Sequence, residues 1–173
     1  MLKLEVFFDY ACPYCLRGHE YLLELLPQYP QVEIVWCPCE AHPRPDRYGL
    51  HSDLCARGMY FALDLGADIL EYHDRMYCAA VKNRADIEDL RIVSELTDSL
   101  LDSDALYAAL SGGAYLNRLL ENNRFAWETY CFPAVPSYRM NGKLLKSIEN
   151  IGVSIQRLAD FIEQNIWEEL ENE

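Results

Sequence analysis

Positive charge is scarce in this chain: 15 Lys and Arg stand against 28 Asp and Glu, a net −13 at pH 7 with the four histidines neutral. That balance speaks against nucleic acid or an anionic membrane as partner, and mainly keeps a protein soluble. Long apolar runs are also missing. None approaches the roughly 20 residues of a membrane-spanning helix, although 51% of the residues are apolar, ample for a core. No internal repeat and no low-complexity segment is present. Room for a secretory leader is short, because strand pattern starts near residue 2 and a paired-cysteine motif follows at residue 12. The expected compartment is therefore the cytoplasm. At 173 residues the chain is one domain, or one domain with an insertion, and a monomer by default.

Cysteine, by contrast, is plentiful. There are seven, an odd number, and a reducing cytoplasm keeps most as thiols. Two of them form Cys12-Pro13-Tyr14-Cys15, directly after the apolar strand Leu2 to Asp9 and directly before a helix. Helix amino termini carry unpaired N–H groups and the positive end of the macrodipole, so a thiolate is stabilised there. The thiolate is the attacking species in disulfide exchange. Positions 22 and 26 each fall within about 20° of position 15 on a helix, which puts Cys15 on the core face with Leu22 and Leu26. Cys12 precedes that face and points to solvent, and Pro13 suits the first helical position because its missing N–H is not needed there. Cys12 is therefore the expected attacking thiol and Cys15 the resolving one. Tyr14 brings no fixed charge, so the helix is the expected source of the local field.

Metal binding is the competing reading, since C-x-x-C is also half of a structural zinc site. Cys37-Pro38-Cys39 could supply the other half, though its spacing is tight. Cys55 and Cys78 read as small core residues. His51 and Cys55 are spaced to share a helix face, but two ligands do not make a metal site.

A helix over about 13–28 and a strand at Val32–Cys37 complete a βαβ unit with the first strand. A proline-rich stretch, Pro38 to Pro45, ends it. Helical pattern then fills 52–65, 67–82, 86–100, 103–110 and 114–128. Strand returns at Ser137–Met140, turns at Asn141-Gly142 and runs on through Lys143–Lys146; Asn-Gly is a strong hairpin signal because a type I′ turn needs two residues at positive φ. Ile155, Leu158, Ala159, Ile162 and Ile166 give the closing helix an apolar face. The expected fold is α/β, a thioredoxin-type sheet split by helices. Residues 1–45 and 129–173 form its two parts and 46–128 the insertion.

Three segments resemble the DsbA-like branch of the thioredoxin superfamily, and especially its FrnE-like cytoplasmic members. They are Phe8 to Cys15, Trp36 to Pro43, and Ala134 to Gly142 with its Val135-Pro136 step. The resemblance implies a cis bond at Val135–Pro136 facing the thiol pair, with the Val135 backbone free to pair with an extended substrate beside Cys12. It thereby implies substrate contacts at Pro13, Tyr14, Val135 and Pro136. Cys131 stands where relatives commonly have glycine, and Cys37 and Cys39 where they usually lack cysteine. All three should lie toward the active end, either to relay oxidation or help hold a metal, or as unlinked thiols.

The resulting expectation is a thiol–disulfide oxidoreductase acting on protein or small thiols, without a prosthetic group or metal. The Pro-Tyr dipeptide is similar to that of glutaredoxins, whose potentials lie at roughly −200 to −230 mV. Kappa-class glutathione transferases and hydroxychromene-carboxylate isomerases resemble the same fold but generally carry Ser at the position of Cys12. Cysteine at both positions argues against an isomerase and leaves glutathione open as a co-substrate.

Overall fold

A computed structural model describes residues 1–172; Glu173, the end of the expected 129–173 segment, lies outside the described residues. The chain starts with β1 (Leu2–Phe8), α1 (Pro13–Leu25) and β2 (Val32–Pro38). Helices α2 (Asp53–Asp64), α3 (Ile69–Tyr77), α4 (Leu90–Leu96), α5 (Ser103–Ser111) and α6 (Leu116–Asn123) follow. It ends with β3 (Ser137–Met140), β4 (Lys143–Leu145) and α7 (Ile155–Asn172).

The four strands form one mixed sheet in the order β2-β1-β3-β4. β1 runs parallel to β2, with Leu4 opposite Ile34 and Phe8 opposite Pro38, and antiparallel to β3, with Val6 opposite Tyr138. Its central place explains its composition: Leu4, Val6 and Phe8 are buried on one face and Phe7 on the other. Asn141 and Gly142 both take positive φ, 49° and 78°, as the hairpin between β3 and β4 requires. Cys15, His19, Leu22 and Leu25 form the buried face of α1. Leu26, expected on that face, is only half-buried; α1 tightens into a 3₁₀ turn at Leu26–Gln28, which rotates Leu26 out of phase.

Three of the five middle helices have a local reason to begin. The carboxylates of Asp68, Asp89 and Asp102 cap α3, α4 and α5 by accepting backbone N–H bonds. Two segments expected as continuous α-helix instead widen into π turns, at Cys78–Lys82 and Arg124–Thr129. The first turns Cys78 partly outward. It is half-buried rather than a core residue, and Asn83 Nδ2 donates to its sulfur at 3.6 Å. Cys55 is fully buried, as expected.

An aromatic and histidine cluster joins the helices to the sheet. The rings of Trp36 and His73 lie 4.3 Å apart and those of His19 and Tyr77 5.5 Å apart. Tyr10 OH and His73 Nδ1 share a hydrogen bond of 2.9 Å, and burial holds the His73 pKa well below its usual value, so the ring is neutral.

Gly58 on α2 makes the α2–α3 contact possible. A Cβ there would sit 2.3 Å from the Tyr72 hydroxyl, which donates to the Cys55 carbonyl at 2.7 Å. Alanine gains up to about 1 kcal/mol of helix propensity, but overpacking costs about 1–3 kcal/mol and the displaced buried hydrogen bond adds to that. Gly58→Ala is therefore expected to lower the urea midpoint at unchanged m-value.

Candidate active site

The chain leaves β1 at Phe8 and enters α1 at Pro13, and the four residues between are held by Asp9. One carboxylate oxygen accepts the N–H of Ala11 and the other that of Ala41, both at 2.8 Å. The Asp9 carbonyl accepts the Cys12 N–H at 3.1 Å, and its own N–H donates to Cys15 Sγ at 3.4 Å. The motif turn and the loop leaving β2 are thus tied to one buried residue. Burial raises the Asp9 pKa against the pull of those N–H bonds.

Cys12 is the N-cap of α1, at φ −95° and ψ 119°, with Pro13 in the first turn. Its thiol is half-buried and donates to the Val135 carbonyl at 3.6 Å. Cys15 is 1% exposed beneath it. The two thiols diverge electrostatically. The hydrogen bond offered by the Cys15 side chain, more than any other cause, lowers the Cys12 pKa; the N–H groups of Cys15 and Tyr14 add to this, while burial and the charge of Asp9 oppose it. The helix end therefore contributes, but it is the partner thiol and not the helix that leads. Burial, then the Cys12 side chain and charge, push the Cys15 thiol well above its usual value.

Beside Cys12 opens a cleft of about 640 Å³, walled by Tyr14, Pro43, Trp127, Val135 and Asn150 among others. Tyr14 OH donates to the Asn150 carbonyl at 2.8 Å, so the motif itself holds the loop after β4. Trp127 Nε1 donates to the Glu40 carbonyl at 2.8 Å. Glu40 and Asn123 exchange two further bonds, Glu40 N–H to Asn123 Oδ1 at 2.7 Å and Asn123 Nδ2 to Glu40 Oε2 at 2.8 Å. The Val135–Pro136 bond is cis, and so is Arg44–Pro45, which the sequence did not announce. Pro136 packs on α1 because residue 18 is glycine: a Cβ there would lie 2.9 Å from Pro136 Cγ and 2.8 Å from the Tyr138 hydroxyl.

The other thiols are differently placed. Cys39 is fully buried and Cys37 half-buried. Burial pushes the Cys37 pKa up to about 12 and that of Cys39 well above its usual value, so both stay protonated at neutral pH. Cys131 is exposed at φ 50°, a conformation that favours glycine, and its thiol donates to the Glu128 carbonyl at 3.2 Å. Among the described residues, no three His, Cys, Asp or Glu side chains gather as a metal ion needs. Among the described residues, no helix is long and apolar enough to cross a membrane. Asp9, Trp127 and the 149–150 loop were not anticipated as parts of the site. Only Asp9, three residues before Cys12, stood close enough in sequence to suggest itself.

The family model described as DSBA-like thioredoxin domain matches residues 3–163. The chain belongs to this family. DSBA-like members are thiol–disulfide oxidoreductases, and the fold is the DsbA-like thioredoxin fold with a helical insertion. A probable DsbA oxidoreductase from Streptomyces coelicolor superposes with TM-score 0.77 at 17% identity, covering 97% of this chain and 91% of that one. Chlamydia trachomatis DsbA gives TM-score 0.72 at 12% identity over 99% of this chain and 87% of its own. The uncharacterised protein YwbO of Bacillus subtilis is 23% identical, covering 92% of this chain and 96% of its own.

Two variants of this DSBA-like domain should move the Cys12 titration in opposite directions. Cys15→Ala removes the leading stabiliser of the thiolate and should raise the Cys12 pKa; Asp9→Asn removes an opposing charge and should lower it. The pH dependence of iodoacetamide alkylation at Cys12 reads both shifts.

Proposed function

We propose that this chain is a Cys-Pro-Tyr-Cys thiol–disulfide oxidoreductase of FrnE-like type, with Cys12 attacking and Cys15 resolving. The observation that carries the reading is Cys12 itself: a half-buried thiol of lowered pKa at a helix N-cap, opening on a cleft, 3.6 Å from the Val135 carbonyl.

In the reducing direction, the Cys12 thiolate attacks one sulfur of a substrate disulfide. The substrate S–S bond breaks, a Cys12–substrate disulfide forms, and the first substrate sulfur leaves as thiolate. Cys15 then gives up its proton and attacks Cys12 Sγ. The second substrate sulfur leaves as thiolate and the Cys12–Cys15 disulfide forms; two electrons have passed to the substrate, whose thiolates take up two protons. Oxidation of a substrate dithiol is the reverse. The low pKa of Cys12 makes it both a ready thiolate and the better leaving group, while buried Cys15 stays protonated until the mixed disulfide is in place.

Pro13, Tyr14, Val135 and Pro136 are the proposed substrate contacts, with the Val135 backbone as the edge an extended segment pairs with. Protein thiols or small thiols are the substrates, glutathione being the alternative co-substrate, and the reaction needs no prosthetic group. A cytoplasmic setting belongs to the same reading, supported by the odd number of cysteines, seven; so does a monomeric state.

Cys15→Ser should accumulate a mixed disulfide at Cys12 with a disulfide-containing peptide, visible by mass spectrometry and released by reductant. Cys12→Ser should accumulate none. Equal trapping in both variants, or stoichiometric zinc held by the two thiols in the reduced protein, contradicts the proposal.

A further inference from the structure

The cleft beside Cys12 has an uneven charge. Of the residues lining it, Glu149 carries the one carboxylate, and among the described residues no Lys or Arg lines it. His42, also in the lining, shares its Nδ1 with Asp46 Oδ2 at 3.2 Å. Cations near the cleft already have partners, one of them the ring of the lining residue Tyr14. Arg44 pairs with Asp53 at 3.3 Å, and Lys146 Nζ donates to the Cys131 carbonyl at 3.3 Å. The guanidinium of Arg17 lies over the Tyr14 ring, 5.6 Å from its centre.

Glu149 is exposed, but its backbone does not wander. Its loop is closed by the Ile148 N–H bond to the Gly152 carbonyl at 3.1 Å and by the Gly152 N–H bond to the Ile148 carbonyl at 2.8 Å. Tyr14, inside the C-x-x-C motif, grips the next residue through the Asn150 carbonyl at 2.8 Å. The Tyr14 side chain also lies against Gly152, where a Cβ would meet it at 3.4 Å. The backbone that carries Glu149 is therefore held in a fixed relation to the motif. The same cleft has apolar and aromatic walls, Trp127 and Pro43 among them. Such walls accept the aliphatic stem of a long cationic side chain while its head meets the carboxylate, and an aromatic face favours a guanidinium.

We infer that the cleft selects cationic polypeptide substrates, with Lys or Arg flanking the reacting cysteine, and that Glu149 is the specificity-determining residue. The inference rests on the disulfide-exchange reading and narrows its substrate class. Glutathione, anionic through its two carboxylates, meets a carboxylate in this cleft instead of a cation. The net charge of −13 adds a long-range field of the same sign.

An exposed ion pair changes an affinity by up to about fivefold. Replacing attraction by repulsion should separate Arg from Glu by roughly three- to tenfold. The test uses three self-quenched disulfide peptides, identical except for Arg, Gln or Glu next to each cysteine. Second-order reduction rates by the reduced wild-type protein should fall in the order Arg, Gln, Glu at low salt. They should converge in 1 M NaCl, where charges are screened within about 3 Å. In Glu149→Gln the Arg-to-Glu ratio should shrink to below about half its wild-type value. Equal rates for the three peptides overturn the inference while leaving disulfide exchange standing. An unchanged ratio in Glu149→Gln overturns the assignment to that residue. Absence of exchange with every peptide overturns the exchange reading, and this inference with it.

Discussion

The geometry of the site depends on one buried carboxylate. Asp9 directly follows the central strand and is 2% exposed. Removing a carboxylate from water is costly unless its oxygens are hydrogen-bonded. Here both accept backbone N–H groups, from Ala11 ahead of the motif and Ala41 beyond β2. The strand end, the thiol turn and one wall of the cleft consequently share a single anchor. Burial raises the Asp9 pKa against the opposing pull of Ser52 and of the Ala41 and Ala11 N–H groups. Stability linked to this group is therefore greatest below the unfolded carboxyl pKa and falls as pH rises toward the folded value.

Upon that anchor the two thiols acquire opposite character although only two residues separate them. Helix phase supplies the difference. Cys12 stands at the N-cap, where N–H groups and a partner thiol face its sulfur; Cys15 is one helical position inside the core face, where burial dominates. In the proposed mechanism a pair so arranged reacts in a defined order, the accessible thiolate before the buried thiol. The same placement brings Val135 within reach, since Gly18 leaves room for Pro136 on the flank of α1.

The sequence was informative wherever the physics is local. Strand β1 running into C-x-x-C, the Asn141-Gly142 turn and the apolar face of α7 depend on neighbours a few residues apart, and each took the expected form. The middle helices were legible as helices but not in detail. A π turn slips the 3.6-residue register, so neither the outward turn of Cys78 nor the position of Trp127 could be read from periodicity. The cleft walls were hidden for another reason. The bond from Tyr14 to Asn150 spans 136 residues and that from Glu40 to Asn123 spans 83, separations over which no sequence period carries information. For Cys37 and Cys39 the sequence left relay, metal binding and unlinked thiols open, because burial, which pushes both pKa values up, depends on packing that residue type does not encode.

The central claim is that Cys12 and Cys15 form a reversible two-electron couple. Its most direct test is the reduction potential of the pair, read by equilibrating the protein in graded glutathione buffers, trapping with acid and alkylation, and counting modified thiols by mass spectrometry. A single two-electron transition confined to Cys12 and Cys15, and abolished by Cys12→Ser, is the predicted result. Persistence of both as free thiols across the whole range would contradict the account.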